Sequence, residues 1–146
     1  MKSSRARGFT LIELVVVITI LGLLAAFAIP RFVSLETQAR VSSLNGLTGG
    51  LRSSSSLARS MAMAAGTNPS SVSMEGQTIN LTNGYPTVGD ISKTLQDTSG
   101  FTVTVGASST TFSPTGASTP ASCITTYTPP AAAGSPPTIA VVTSGC

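Results

Sequence analysis

Apolar residues fall along this chain in three regimes. From Phe9 to Ile29 the sequence is apolar almost without a break, 21 residues with Glu13 as the sole charge. At about 1.5 Å per residue such a run makes roughly 31 Å of helix, enough to cross the hydrocarbon core of a bilayer. From Arg31 to Ala65 the apolar residues thin to a stripe. Val33, Val41, Leu44, Leu47, Leu51, Ala58, Met61 and Ala65 recur mostly at steps of three or four, with Thr37 and Ser54 spanning the wider gaps. Arg40, Asn45, Arg52 and Arg59 lie mostly off that stripe. Pro30, at the junction, removes one backbone hydrogen bond and kinks a helix without necessarily ending it. Gly46, Gly49 and Gly50 each weaken the helix by up to about 1 kcal/mol relative to Ala, so its second half needs tertiary packing to persist. Gly66 followed by Asn68-Pro69 supplies a stop. The pattern predicts one long, bent helix over residues 9–65, apolar all round at first and one-sided afterwards.

The third regime is short-period. Ser70 to Thr82 reads as a hairpin, with Val72 and Met74 before a turn at Glu75-Gly76, and Ile79 and Leu81 after it. "NGYP" (Asn83 to Pro86) is turn chemistry. "FTVTV" alternates strictly, with Phe101, Val103 and Val105 on one face and threonines on the other. "CITTY" (Cys123 to Tyr127) and "TIAVVT" (Thr138 to Thr143) are further strand candidates, separated by the irregular "TPPAAAGSPP". Together they predict an α+β fold, a small antiparallel sheet of three to five strands packed on the helix stripe. The competing reading of residues 106–146 is a low-complexity tail.

Composition narrows the chemistry. Without histidine, Ser–His and Cys–His nucleophile pairs and His-ligated metals are excluded. Glu13, Glu36, Glu75, Asp90 and Asp97 are too scattered to suggest an acid/base pair or a metal cage, so no enzyme activity and no cofactor are expected. The net charge of +3 sits in a leader: Lys2, Arg5 and Arg7 carry it, and beyond residue 8 the charges cancel. Such a cluster orients a membrane segment by staying cytoplasmic, and no nucleic-acid partner is expected from it. From Thr98 to Cys146 there is no charged residue.

A basic leader, an apolar run and the small-x-small Ala26-Phe27-Ala28 also fit a secretory signal peptide. The length of the run, the charge inside it and the helical pattern beyond the supposed cut argue against that reading. Glu13 poses the sharper question, because a carboxylate near a bilayer centre costs about 2.5–3.5 kcal/mol, less near an edge. Cys123 and Cys146 are the only cysteines. If bridged they would stabilise the fold by about 3.5 kcal/mol on the loop-entropy argument, and imply an oxidising compartment. Two unrelated thiols are the alternative.

The stretch "RGFTLIELVVVITILGLLAAFAIPRF" (Arg7 to Phe32) closely resembles the N-termini of type IV prepilins and their pseudopilin relatives, in a type IVa-like manner. The signature is a basic leader ending in Gly, then Phe, then an apolar helix with Glu at the fifth mature position; Gly8, Phe9 and Glu13 match it. The GYP turn and the closing "GC" are similar to pilins of the mannose-sensitive haemagglutinin type. The resemblance implies a leader (1–8) removed by prepilin peptidase between Gly8 and Phe9, with Phe9 then N-methylated. It implies a transmembrane and filament-core helix (9–29), its amphipathic continuation (30–65), and a sheet head with a C-terminal disulfide loop closed by Cys123 and Cys146 (66–146). Glu13 would compensate the Phe9 ammonium of a neighbouring subunit and fix register, rather than sit idle at headgroup level. Gly22 and Pro30 would mark the helix kink. The implied partners are further copies in a helical homopolymer, the peptidase, the inner-membrane assembly machinery, and membrane lipid before assembly. The implied function is a pilus subunit serving surface adhesion or motility. It starts in the bacterial inner membrane with its head in the periplasm and ends in an extracellular pilus. A pseudopilin of a type II secretion system and a minor tip pilin acting as a binding module are the alternatives.

Overall fold

The computed structural model describes residues 8–66 and 68–146, so the basic positions Lys2, Arg5 and Arg7 lie outside the described residues. One helix, α1 (Leu11–Ala64), runs for 54 residues with Pro30 inside it. The chain forms two compact units, Met1–Thr37 and Gln38–Cys146.

In the first unit the described residues are helix and little else. No side chain there is buried, and every large apolar residue from Phe9 to Leu35 is exposed, between 45% (Val15) and 82% (Phe9). Among the described residues of this unit nothing selects a face. Val33 and Thr37, which the sequence pattern placed on the one-sided stripe, share this exposure. The stripe therefore starts later, at Leu44, after a half-buried Val41.

In the second unit the helix buries Leu44, Leu47, Thr48, Leu51, Ser55, Ala58 and Ala62. That is the expected spacing, seated differently: Ser54 and Met61 are only half-buried and Ala65 is exposed, while Thr48, Ser55 and Ala62 take the centre. Small side chains take those buried positions, and their hydroxyls are satisfied. Thr48 Oγ1 is 2.8 Å from Leu44 O and 2.7 Å from Thr125 Oγ1, and Ser55 Oγ donates to Arg52 O at 3.1 Å. Gly66 ends the helix at φ +90°, its N–H bonded to Met63 O at 3.2 Å, in the left-handed conformation that glycine adopts at least cost.

Among the described residues seven strands follow, in two antiparallel sheets rather than the single three-to-five-stranded sheet expected from the pattern. The first holds β1 (Ser71–Met74), β2 (Gln77–Thr82) and β3 (Tyr85–Pro86), in that order. The second holds β4 (Phe101–Val105), β5 (Thr110–Pro114), β6 (Ile124–Thr128) and β7 (Thr138–Val142), also in chain order. Two strands account for part of the difference. Asn83 and Gly84 both have positive φ, 53° and 82°, as a tight hairpin turn requires, so the turn is finished before Tyr85-Pro86 pairs back on Leu81-Thr82. In β5 the inward positions are Thr110, Phe112 and Pro114, of which only Phe112 registers as apolar. Residues 106–146 thus carry β5, β6 and β7 rather than a structureless tail, and β4 to β7 contain no charged side chain.

Leu47, Leu51, Ile91, Phe112 and Tyr127 form the main core under the four-stranded sheet. Ala58, Ala62, Val72, Met74 and Ile79 form a second cluster under the three-stranded one. Each fully buried large side chain contributes about 1.5–3 kcal/mol. Tyr127 Oη donates to Pro86 O at 2.7 Å and so ties β6 to β3 across the two sheets. Burial raises the phenol well above its ordinary pKa, with Tyr85 adding to the effect, so Tyr127 stays a donor. A disulfide joins Cys123 to Cys146, buried with Leu44, and Arg40 Nη1 donates to the Cys146 main-chain oxygen at 3.1 Å.

Candidate functional site

The residues singled out by sequence divide between the two units. Gly8, Phe9, Glu13, Gly22 and Pro30 lie in the first, Cys123 and Cys146 in the second. Gly8, Phe9 and Glu13 lie near one another in sequence, in the residues just ahead of the helix and in its first turn, and the disulfide brings Cys123 and Cys146 together.

Gly8 is exposed, and a Cβ placed there would meet nothing within 4 Å. Its backbone is not left-handed either, so the fold itself does not ask for glycine at this position. A missing side chain there matters only to something that approaches from outside. Phe9 follows, 82% exposed.

Thr10 and Glu13 then open the helix with a reciprocal cap. Thr10 N donates to Glu13 Oε2 at 2.9 Å, Thr10 Oγ1 donates to the same oxygen at 2.7 Å, and Glu13 N donates back to Thr10 Oγ1 at 3.3 Å. Backbone donors that a helix start leaves orphaned are satisfied this way, and a carboxylate in the first turn also meets the positive end of the helix dipole. Both carboxylate bonds fall on Oε2. Within a single protomer, then, Glu13 is neither bare nor idle. Thr10 was missed by sequence reasoning, although a Thr two residues after Gly8 and three before Glu13 is a capping signature ahead of an apolar run.

Further along, Gly22 has open space around it, and Pro30 lies within the continuous helix, where its missing N–H leaves the Ala26 carbonyl without its usual partner. The helix is long and apolar enough to cross a membrane, with a stretch of mean hydropathy 2.7 of which none is buried. Among the described residues no three His, Cys, Asp or Glu side chains come together as a metal site. What this arrangement offers chemically is association: an all-round apolar rod with one carboxylate at its head.

Comparison with known proteins agrees. The family described as "Prokaryotic N-terminal methylation motif" matches residues 3–29. The chain is 41% identical over 80 residues to the "Type IV narrow pilus major component PilA5" of Thermus thermophilus, covering 51% of this chain and 69% of that one. It is 53% identical over 38 residues to the "Type IV major pilin protein PilA" of Myxococcus xanthus, covering 26% of this chain and 17% of that one. It is 45% identical over 49 residues to a "Type IV major fimbrial protein FimA" of Dichelobacter nodosus, covering 34% of this chain and 31% of that one. No solved structure matches the chain. An N-terminal methylation motif, an unpacked apolar helix continued into an antiparallel head, and similarity along 69% of a pilus component place this chain in the type IV pilin family.

Proposed function

We propose that this chain is a structural subunit of a type IV pilus, assembled through its N-terminal helix. The observation that carries the reading is the exposure of every large apolar residue from Phe9 to Leu35, on a helix headed by Gly8-Phe9 and the Thr10–Glu13 cap. So much apolar surface is stable only in a lipid or among other such helices, and moving between the two exchanges one apolar environment for another. The subunit is first a membrane-anchored precursor and then part of an extracellular filament.

In finer detail, residues 1–8 are the leader, and prepilin peptidase cuts between Gly8 and Phe9, which is then N-methylated. Residues 9–29 hold the subunit in the inner membrane with the head (66–146) in the periplasm, and residues 30–65 link the two. Assembly machinery draws the helix out of the lipid and packs it beside other copies. There the Glu13 carboxylate faces the Phe9 ammonium of a neighbour, while Gly22 and Pro30 are the positions where the helix yields. The matched relatives bear the names of pilus and fimbrial components, which supports a pilin over a secretion pseudopilin.

The test is mass spectrometry of filaments sheared from the cell surface. The expected species is a chain of residues 9–146 beginning with N-methyl-Phe9. Recovery of a chain beginning at Ile29 or Pro30 would assign the segment to a signal peptide and overturn the reading.

A further inference from the structure

The head carries two oppositely charged flanks that form no ion pair among the described residues. Successive residues of α1 are offset by about 100°. Arg52 and Arg59, seven positions apart, therefore stand over one another on one flank of the helix. Ser54, Leu57 and Met61 stand on the opposite flank, and the buried stripe through Leu51, Ser55 and Ala58 lies between.

On the basic flank Arg52 is exposed, beside Pro136 and Pro137. Arg59 is held in place: its guanidinium lies over the Tyr85 ring, 5.6 Å from the centroid. It also lies so close to Gly84 that a Cβ there would collide with Arg59 Nη1. On the other flank a hollow of about 290 Å³ has Leu57, Met61 and Met74 among its lining and Glu75 and Gln96 at its polar side. Leu57 is 54% exposed in it. Glu75 Oε1 accepts from Gln96 Nε2 at 3.1 Å, and the exposed Asp97, next along the chain, accepts from Ser99 N at 2.6 Å and Ser99 Oγ at 2.7 Å. Lys93 borders the same hollow, but Asp90 takes it at 2.6 Å. Among the described residues none of Arg52, Arg59, Glu75 and Asp97 forms an ion pair.

We propose that these flanks are the two halves of one interface, in which Arg52 and Arg59 of one copy dock on the Glu75–Gln96 side of the next. Charge complementarity selects a second copy as the occupant: with Lys93 and Asp90 cancelling, two arginines without an ion pair stand on the flank opposite Glu75, which has none either. The hollow also suits an arginine, whose aliphatic stem can lie over Leu57 and Met61 while the guanidinium reaches Glu75. Because the two surfaces differ and lie on opposite sides, the contact is heterologous. It does not close on itself in a pair, and it repeats along an open assembly. This rests on the pilus reading and deepens it, since it gives the heads a directional contact of their own beside the packing of the apolar helices.

The experiment is charge exchange in full-length protein, with sheared-filament yield measured against the membrane pool. Arg52→Glu alone and Glu75→Arg alone should each lower filament yield about fivefold or more, because each places like charges opposite one another. Both leave the pool and its processing at Gly8 unchanged. The double variant Arg52→Glu/Glu75→Arg restores the pair in reverse and should recover most of the yield. Arg52→Gln keeps the stem, drops the charge and should fall between. Normal yield in both single variants, or a double variant no better than either single, overturns the proposal. Binding of a phosphate polymer by wild-type filaments, lost in Arg52→Glu and not regained in the double, assigns the arginines to a polyanion and overturns it as well. If wild-type cells carry no filaments containing this chain, the pilus reading fails instead, a result separable from all of these.

Discussion

Replacing Glu13 by Gln and by Ala separates two contributions of one side chain. The first is local. Glu13 accepts from Thr10 N at 2.9 Å and from Thr10 Oγ1 at 2.7 Å, and loss of such a cap costs about 1 kcal/mol of helix stability. Gln can keep the reciprocal bond to the Thr10 backbone, because its side-chain oxygen accepts as a carboxylate does. The second contribution is the one the proposed function assigns to the filament, with the Phe9 ammonium buried among apolar helices beside Glu13 of a neighbour. Removing its counter-charge leaves an uncompensated buried cation, at about 3–5 kcal/mol. That is a factor of roughly a hundred to a few thousand in the equilibrium for adding a subunit. Gln and Ala variants should therefore both be membrane-resident and cut at Gly8, and both nearly devoid of surface filaments. The Ala variant alone should show a frayed helix start. Insertion itself should be intact or improved, since a charge has left the apolar segment. Immunoblots of sheared filaments and of membranes, from the same cells, read both quantities. Filament yield near wild type in Glu13→Gln would refute the reasoning and reduce Glu13 to a cap; a loss in Thr10→Val equal to that in Glu13→Ala would point the same way.

Three further outcomes follow from the head. Tyr127→Phe deletes the Tyr127–Pro86 bond between the sheets and leaves a buried carbonyl short of a donor. It should cost about 1–3 kcal/mol, a drop of roughly 4–10 °C in the melting midpoint of the full-length protein in detergent, and an unchanged midpoint would show that the bond contributes nothing. Non-reducing peptide mapping of exported protein should recover a Cys123–Cys146 cross-link, and Cys123→Ser should lower subunit abundance through the loss of about 3.5 kcal/mol. Freely alkylated thiols in the native protein would contradict this. Burial raises the Asp90 carboxyl, but Lys93 and the two Asn80 donors outweigh it and leave the group below its ordinary range. A carboxyl depressed by folding stabilises the fold above its unfolded pKa of about 4 and loses that contribution as pH falls through the folded value. The midpoint of the wild-type protein should therefore fall more steeply below about pH 4 than that of Asp90→Asn; parallel curves would remove Asp90 as a cause.

Much of the architecture is visible in residue order, and the exceptions share a cause. The rod from Phe9 onward is unmistakable because nothing but Glu13 interrupts it, and "FTVTV" and the Glu75-Gly76 hairpin follow from strict alternation and turn chemistry. Thr48, Ser55, Thr110 and Pro114 were overlooked as core positions because they are polar or strand-breaking by type. They are buried because each has a local remedy. Thr48 bonds Leu44 and Thr125, Ser55 bonds Arg52, Thr110 bonds Val88, and Pro114 ends its strand. Two of these remedies depend on partners far away in sequence: Thr48 and Thr125 are 77 positions apart, Thr110 and Val88 22. Gly8, Phe9 and Glu13 were legible because their pattern is local. Thr10 was equally local, yet was read only as part of an apolar run.

The absence of charge from Thr98 to Cys146 has a consequence for how this head meets other surfaces. Coulombic attraction between exposed groups fades beyond about 8 Å at physiological ionic strength and nearly vanishes in brine. The four-stranded sheet has no such attraction to lose, since its outward positions, Thr102, Thr104, Thr111, Ser113 and Thr126 among them, offer hydroxyls and methyls only. Whatever adheres to that face should do so equally well in fresh and salt water. It should also hold across the range of acidity in which the fold survives.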